Sequence, residues 1–371
     1  MLTNKMVNVT SPTLPDLEEM LPLLQRIWNS RILTNNGPLH IELELVLAEY
    51  LGVEHVALVS NGTLALVLAL KALGLDEGEV ITTPYSFVAT SNAIKLAGLR
   101  PKFVDISSDG FNIDPEKIES AISPATRALL PVHCYGFPCD VEAIEAIANK
   151  YSLKVIYDAA HAFGVKCDCG SLLSKGSASA ISFHATKVFN TFEGGAVVSN
   201  DSGMKKTVES LKNFGFDENR DISAIGLNAK MAEFNAAVGL LQIKRIDADL
   251  EAREAVSARY DSALCRVEGI SYGRPQGISR PNHAYYPIRV TNEYPISRDE
   301  LHDKLARLGV EARRYFFPII PALKAYQGEV LNFANEFPNA LKRSEEILCL
   351  PIYPHLETEF INMISEAIIH P

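Results

Sequence analysis

Residues 181–200 read Ile181-Ser-Phe-His-Ala-Thr-Lys-Val-Phe-Asn-Thr-Phe-Glu-Gly-Gly-Ala-Val-Val-Ser-Asn200, and one side chain among them decides how the rest of the chain is read. Lys187 stands in mostly uncharged company, between a Ser-Phe-His-Ala-Thr lead-in and a Gly-Gly turn. A lysine among apolar and small residues loses hydration, which lowers its pKa and frees an amine for nucleophilic work. Such an amine forms a Schiff base with an aldehyde, and the commonest protein-bound aldehyde of that kind is pyridoxal 5′-phosphate (PLP). A lone lysine is more often a snorkelling surface residue. The reading therefore requires the other parts of a PLP site elsewhere in the chain.

Four parts are needed: the lysine, an anion for the pyridine nitrogen, a phosphate cup, and something flat against the ring. A carboxylate beside the pyridine nitrogen keeps it protonated and makes the ring an electron sink. Asp158 is the candidate, in Val-Ile-Tyr-Asp-Ala-Ala-His-Ala-Phe-Gly at a strand end; the alternative is an ordinary helix cap. Ser60-Asn-Gly-Thr63 precedes the apolar run Leu64–Leu73, a polar turn opening a helix where free N–H groups and the dipole favour an anion. Plain N-capping explains the same residues. Gly62 and Thr63, with the hydroxyl of Ser182, form the candidate cup. Phe87 is either a ring-stacking residue at the start of its helix or a core aromatic. His161 either bonds the ring's phenolic oxygen or sits satisfied in the core.

Working outward, residues 15–30 and 40–51 have helical spacing, with a loop at Ile32–Pro38 between them. Short apolar strands at 79–84, 100–105, 126–132, 153–158, 179–184 and 195–199 alternate with helices over 85–98 and 140–150. That alternation predicts an α/β sheet with ligand groups at the strand ends. Residues 204–220 read as helical, and one long helix is expected from Lys230 to Leu264. A strand at 284–290 and a helix at 298–308 suggest a smaller α+β unit, giving domains of 1–250 and 251–371. No G-x-G-x-x-G or G-x-x-x-x-G-K-[ST] occurs, which leaves neither a dinucleotide fingerprint nor a P-loop.

The totals narrow the class. A chain of 371 residues, 47% hydrophobic and 22% charged, suits a soluble globular protein with large cores. A net charge of −10 argues against a nucleic-acid partner. No signal-peptide pattern and no apolar run of about 18 residues is present, so a cytoplasmic protein without a membrane span is expected. Six scattered cysteines, including the Cys167-Asp-Cys169 pair, lack zinc spacing and are expected to be reduced thiols; no metal site is expected.

Taken together, Ser60-Asn-Gly-Thr63, Thr83-Pro-Tyr-Ser-Phe-Val-Ala-Thr90, Pro131-Val-His-Cys-Tyr-Gly136, Asp158-Ala-Ala-His-Ala-Phe-Gly164, Ser182-Phe-His-Ala-Thr-Lys187 and Glu193-Gly-Gly195 resemble the DegT/DnrJ/EryC1/StrS nucleotide-sugar aminotransferases. The likeness runs from about Leu33 to Pro318. It implies fold type I, the aspartate aminotransferase-like PLP-dependent transferase architecture, with a mostly parallel seven-stranded sheet in a large domain and a small C-terminal α+β domain. It also implies a homodimer with active sites shared between subunits. By resemblance, Lys187 takes the cofactor aldehyde, Asp158 the pyridine nitrogen, and Gly62, Thr63 and Ser182 the phosphate. Phe87 stacks on the ring, His161 lies near the ring oxygen, and Asn228, in Gly226-Leu-Asn-Ala-Lys-Met231, reaches the partner's phosphate. The family often has Tyr-Arg where this chain has Ala229-Lys230, so Lys230 is unassigned.

The implied reaction moves nitrogen from glutamate through pyridoxamine 5′-phosphate to a sugar ketone, with Lys187 as general acid and base. Related dehydratases carry histidine at that position, so a lysine favours transamination. The 181–195 segment resembles enzymes that aminate dTDP-4-keto-6-deoxyglucose; relatives acting on 3-keto sugars carry a similar stretch. Thr34 and Asn35 are implied to line the nucleotide or sugar pocket across the dimer. His184 either touches the sugar or packs. Arg313, Arg314 and Tyr315 form an aromatic-flanked basic group suited to a diphosphate, or else a solvated surface pair. A non-catalytic PLP-fold regulator is the competing class.

Overall fold

The computed structural model describes residues 6–168, 170–273 and 277–371. Two helices, α1 (Leu17–Ser30) and α2 (Pro38–Leu51), lead into strand β1 (His55–Val59) and helix α3 (Gly62–Ala72). The alternating region then runs β2 (Glu79–Thr82), α4 (Ala89–Leu96), β3 (Arg100–Phe103), α5 (Pro115–Ala121), β4 (Thr126–Leu130), α6 (Val141–Lys150) and β5 (Lys154–Asp158). A small hairpin, β6 (Lys166–Cys167) and β7 (Gly170–Ser171), precedes β8 (Ala178–Ser182), β9 (Gly195–Ser199) and α7 (Ser202–Leu211). Helices α8 (Glu233–Gln242) and α9 (Ile246–Leu264) follow, then β10 (Ile270–Tyr272), β11 (Ile278–Arg280), β12 (Tyr286–Val290), α10 (Arg298–Arg307) and β13 (Ile347–Leu350).

Seven strands form one sheet in the order β1-β9-β8-β5-β4-β2-β3. The pairs from β8 through β5, β4 and β2 to β3 are parallel, while β9 runs antiparallel to both β8 and β1. Parallel strands need crossovers, and the helices supplying them cover both faces, so the strands are apolar and buried almost throughout. Alternation within β8 shows the two faces: Ala178 and Ala180 pack into one core with α3, while Ile181 packs into the other with α2 and α8. Helix α3 is buried from Ala65 to Leu70, apolar on all sides because it lies beneath other helices on the sheet. Here is the expected α/β sheet of seven strands.

Beyond Leu264, β10, β12 and β13 form a separate antiparallel sheet with its own core, which also takes in Val7 and the second half of α9. Helix α9 thus belongs to two cores, with Ile246 and Leu250 in one and Val256, Tyr260 and Leu264 in the other.

Four sequence expectations change. The single helix over 230–264 is two, because Lys244 and Arg245 tighten to i→i+3 bonds and a turn separates α8 from α9. Its start moves to Glu233, since the Ala229 backbone is spent on Ser60 and Lys212. The helix over 204–220 stops at Leu211, where Phe214 and Gly215 take positive φ and turn the chain back. The helix over 85–98 begins at Ala89, leaving Phe87 in the preceding turn. Cys167 is disulfide-bonded at the edge of the β6–β7 hairpin, against the expectation of reduced thiols throughout; Cys134, Cys139, Cys265 and Cys349 are free. Cys169 lies outside the described residues. Among those residues no helix is long and apolar enough to cross a membrane.

Candidate active site

The sheet topology builds the site. Strands β5 and β8 are parallel neighbours with Asp158 opposite Ala180, so Asp158 and Ser182 emerge at the same carboxyl edge. Strand β9 returns antiparallel, placing Gly195 opposite both Ser182 and Val59. The chain leaving β1 therefore delivers Ser60-Asn61-Gly62 directly beside Ser182. Two glycines make this approach sterically feasible. A Cβ on Gly62 would lie 2.7 Å from the Ser182 Cβ, and one on Gly195 would lie 2.7 Å from the Asn61 carbonyl carbon. Asn61 caps α3, its Oδ1 accepting from the Leu64 amide at 2.9 Å. Among the described residues nothing accepts from the amides of Gly62 and Thr63, the orphan donors of a helix N-terminus.

A cavity of about 750 Å³ opens over this edge, and Gly62, Thr63, Asp158, His161, Ser182 and Lys187 all line it. Phe87 and His184 face it too. At its floor Asp158 is 4% exposed. Its Oδ2 accepts from Thr90 Oγ1 at 2.7 Å and its Oδ1 from the Ala160 amide at 3.1 Å. Burial pushes this carboxyl up, opposed by the Thr90 and Ala160 bonds and by Lys187. Among the described residues Asp158 has no ion pair within salt-bridge distance. A buried carboxylate in that condition favours a cation brought beside it.

Lys187 is partly buried, and its Nζ lies 3.3 Å from Tyr285 Oη. Burial brings its pKa down to about 8, partly offset by the Asp158 carboxylate. His161 is neutral: burial, then Lys187, pushes its pKa well below the usual histidine range. Its Nδ1 accepts from the Tyr135 amide at 3.1 Å, which puts the ring proton on Nε2. Phe87 is 58% exposed at the cavity rim, so it is no core aromatic.

Of the remaining expected residues, Thr34, Asn35, Asn228, Arg313 and Arg314 do not line this cavity within one chain. Asn35 lines a different depression of about 660 Å³, together with Lys206, Asn213 and Lys230. Thr34 lines neither. Asn228 is exposed, its Oδ1 accepting from Lys230 Nζ at 2.6 Å. Arg313 and Arg314 line a neighbouring depression of about 460 Å³ that shares Phe87, Tyr315 and Phe316 with the main cavity. Arg314 pairs with Asp299 at 3.0 Å and Arg313 with Glu311. Tyr315 alone of these lines the main cavity. His184 bonds Thr186 Oγ1 through Nδ1 at 2.8 Å.

An open cup of amides, a buried carboxylate and an amine of depressed pKa around one cavity match the parts that PLP chemistry requires. The sequence profile of the DegT/DnrJ/EryC1/StrS aminotransferase family matches residues 16–369. The chain is a member of that family.

Members of the DegT/DnrJ/EryC1/StrS family are PLP-dependent aminotransferases. The chain is 50% identical over 366 residues to a dTDP-4-amino-4,6-dideoxy-D-glucose transaminase of Shigella dysenteriae, covering 98% of each chain. It is 44% identical over 369 residues to the enzyme of that name from Escherichia coli, covering 99% of each. The crystal structure of DesI in the presence of its TDP-sugar product superposes with a TM-score of 0.93 at 32% identity, over 99% of this chain and 93% of that one. Sequence reasoning missed Thr90 and Tyr285, and it held helix capping, which Asn61 performs, only as the alternative to phosphate binding. Thr90 sits inside the quoted Thr83–Thr90 motif, and Asn61 inside Ser60–Thr63. No local pattern marks Tyr285.

Proposed function

We propose that this aminotransferase moves an amino group from glutamate to C4 of dTDP-4-keto-6-deoxyglucose, giving dTDP-4-amino-4,6-dideoxyglucose. The observation that carries the substrate is the 50% identity, over essentially the whole length, to a relative of that name. When bound, PLP supplies an electron sink that lets a carbon–hydrogen bond next to nitrogen release its proton. The rest is the work of the chain. Asp158 would face the pyridine nitrogen, where its burial favours the protonated ring. Gly62, Thr63 and Ser182 would take the phosphate, the first two through amides left open at the head of α3. Phe87 would cover one ring face, and the neutral His161 would offer Nε2–H to the phenolic oxygen. Lys187 would hold the cofactor and then carry the proton, a role suited to an amine titrating near 8.

Asn228 would complete the phosphate cup of a second subunit, since it lies outside its own cavity. Thr34 and Asn35 on the same side would meet the partner's substrate. Exposed large apolar side chains, including Trp28, Leu45, Ile222 and Ile225, are consistent with a homodimer. Arg313, Arg314 and Tyr315 would hold the diphosphate beside the sugar, and His184 would face the sugar. The enzyme would work in the cytoplasm. The test is incubation with glutamate and, separately, 4-keto and 3-keto dTDP-sugars, with the product read by mass and NMR. A 4-amino product supports the assignment; amination only of the 3-keto sugar overturns it.

A further inference from the structure

Tyr285 comes from the C-terminal part of the chain, just ahead of β12, yet its hydroxyl lies 3.3 Å from the Lys187 amine. Among the described residues that oxygen is the one hydrogen-bond partner of Lys187 Nζ. The ring is held tightly, with centroids 4.7 Å from His161, 5.5 Å from Tyr135 and 5.7 Å from Tyr315. Its backbone is anchored by Asn282, which is 2% exposed. Asn282 Nδ2 donates to the carbonyls of His161 at 2.8 Å and Phe163 at 3.0 Å, and its Oδ1 accepts from the Ala284 amide at 3.1 Å. One buried amide thus clamps the loop carrying Tyr285 onto the loop following Asp158. Gly136 leaves room for this clamp, since a Cβ there would lie 2.8 Å from Asn282 Oδ1.

We propose that Tyr285 is a positioning residue for the transfer reaction, its hydroxyl holding the Lys187 amine in place in both of its protonation states. The proposal rests on Lys187 being the cofactor lysine. An amine that alternately takes and gives a proton needs a neighbour that both accepts and donates, and a hydroxyl does both. Burial raises the Tyr285 hydroxyl well above the usual tyrosine range, so it keeps its proton throughout. The other titratable groups lining the cavity are Asp158, His161, His184, Glu193 and Tyr315. None of these is hydrogen-bonded to Lys187 Nζ.

The variant is Tyr285→Phe, which keeps the ring packing and removes one oxygen. Three measurements are made: the single-turnover rate of the PLP-loaded enzyme with glutamate, its dependence on α-deuteration, and the pH midpoint of covalent PLP loading into the cofactor-stripped enzyme. The rate is expected to fall about ten- to a hundredfold, the effect of losing one hydrogen bond to a charged group. The isotope effect should grow as proton transfer becomes limiting. The loading midpoint should move down, because the ammonium loses more than the amine does when the oxygen goes. A midpoint that stays put overturns the proposal whatever the rate does, and so does a moved midpoint with an unchanged rate. A raised KM for glutamate with an unchanged single-turnover maximum also overturns it. Lys187→Ala is run alongside: if that variant still loads covalently, the fault lies with the lysine assignment instead.

Discussion

Cofactor loading should titrate with Lys187. Burial lowers this amine from the ordinary lysine value to about 8, and only the neutral form attacks an aldehyde. At that pKa about 9% of the amine is neutral at pH 7 and about 91% at pH 9, so the loading rate should rise about tenfold over that interval and then level off. A lysine at the unperturbed value would gain about a hundredfold over the same two units and keep rising past pH 10. The sign of the Asp158 contribution supplies an internal control. Its carboxylate favours the ammonium and raises the Lys187 pKa, so Asp158→Asn should move the midpoint lower still. The assay is stopped-flow absorbance after mixing cofactor-stripped enzyme with excess PLP between pH 6 and 10.5. A profile still climbing at pH 10, or one unmoved by Asp158→Asn, would refute the reasoning.

Other expectations follow from the same geometry. Asp158→Asn should retain PLP but slow transamination by roughly a hundredfold or more, the scale of removing one preorganised electrostatic group; single-turnover kinetics with glutamate checks it. Gly62→Ala brings a methyl to 2.7 Å from the Ser182 Cβ, so PLP affinity measured by equilibrium titration should weaken at least about tenfold. Lys212→Met tests a different part of the molecule. This fully buried lysine bonds Glu209 at 2.7 Å and the Leu58 carbonyl at 3.1 Å, with Glu44 3.7 Å away. Removing it leaves Glu209 without its cation and takes a second one from Glu44, a loss of about 3 kcal/mol in denaturant unfolding. A change below about 1 kcal/mol would show that the cluster contributes little.

Legibility in the sequence followed how local each signal was. The strands at Glu79–Thr82, Thr126–Leu130 and Lys154–Asp158 were readable because buried parallel strands are short, largely apolar runs between turn signals. Asp158, Ser182 and Lys187 were readable because each closes or follows such a strand. The break at Lys244–Arg245 was not, since the residues around it have good helix propensity and the i→i+3 bonds of Lys244 and Arg245 leave no mark in the sequence. The early end at Leu211 depends on Phe214 taking positive φ, which no propensity announces. Tyr285 was invisible for a third reason: it meets Lys187 from 98 positions away, through a loop held by the Asn282 side chain. Thr90 was passed over because a hydroxyl aimed at a buried carboxylate looks, in sequence, like any other threonine in a helix.

The most direct test of the Lys187 assignment is where the cofactor attaches. PLP-loaded enzyme is reduced with borohydride, digested and mapped by mass spectrometry. The expected result is one modified peptide carrying the adduct on Lys187, with Lys212 and Lys230 unmodified. An adduct on any other lysine, or none on Lys187, would contradict the site as built here.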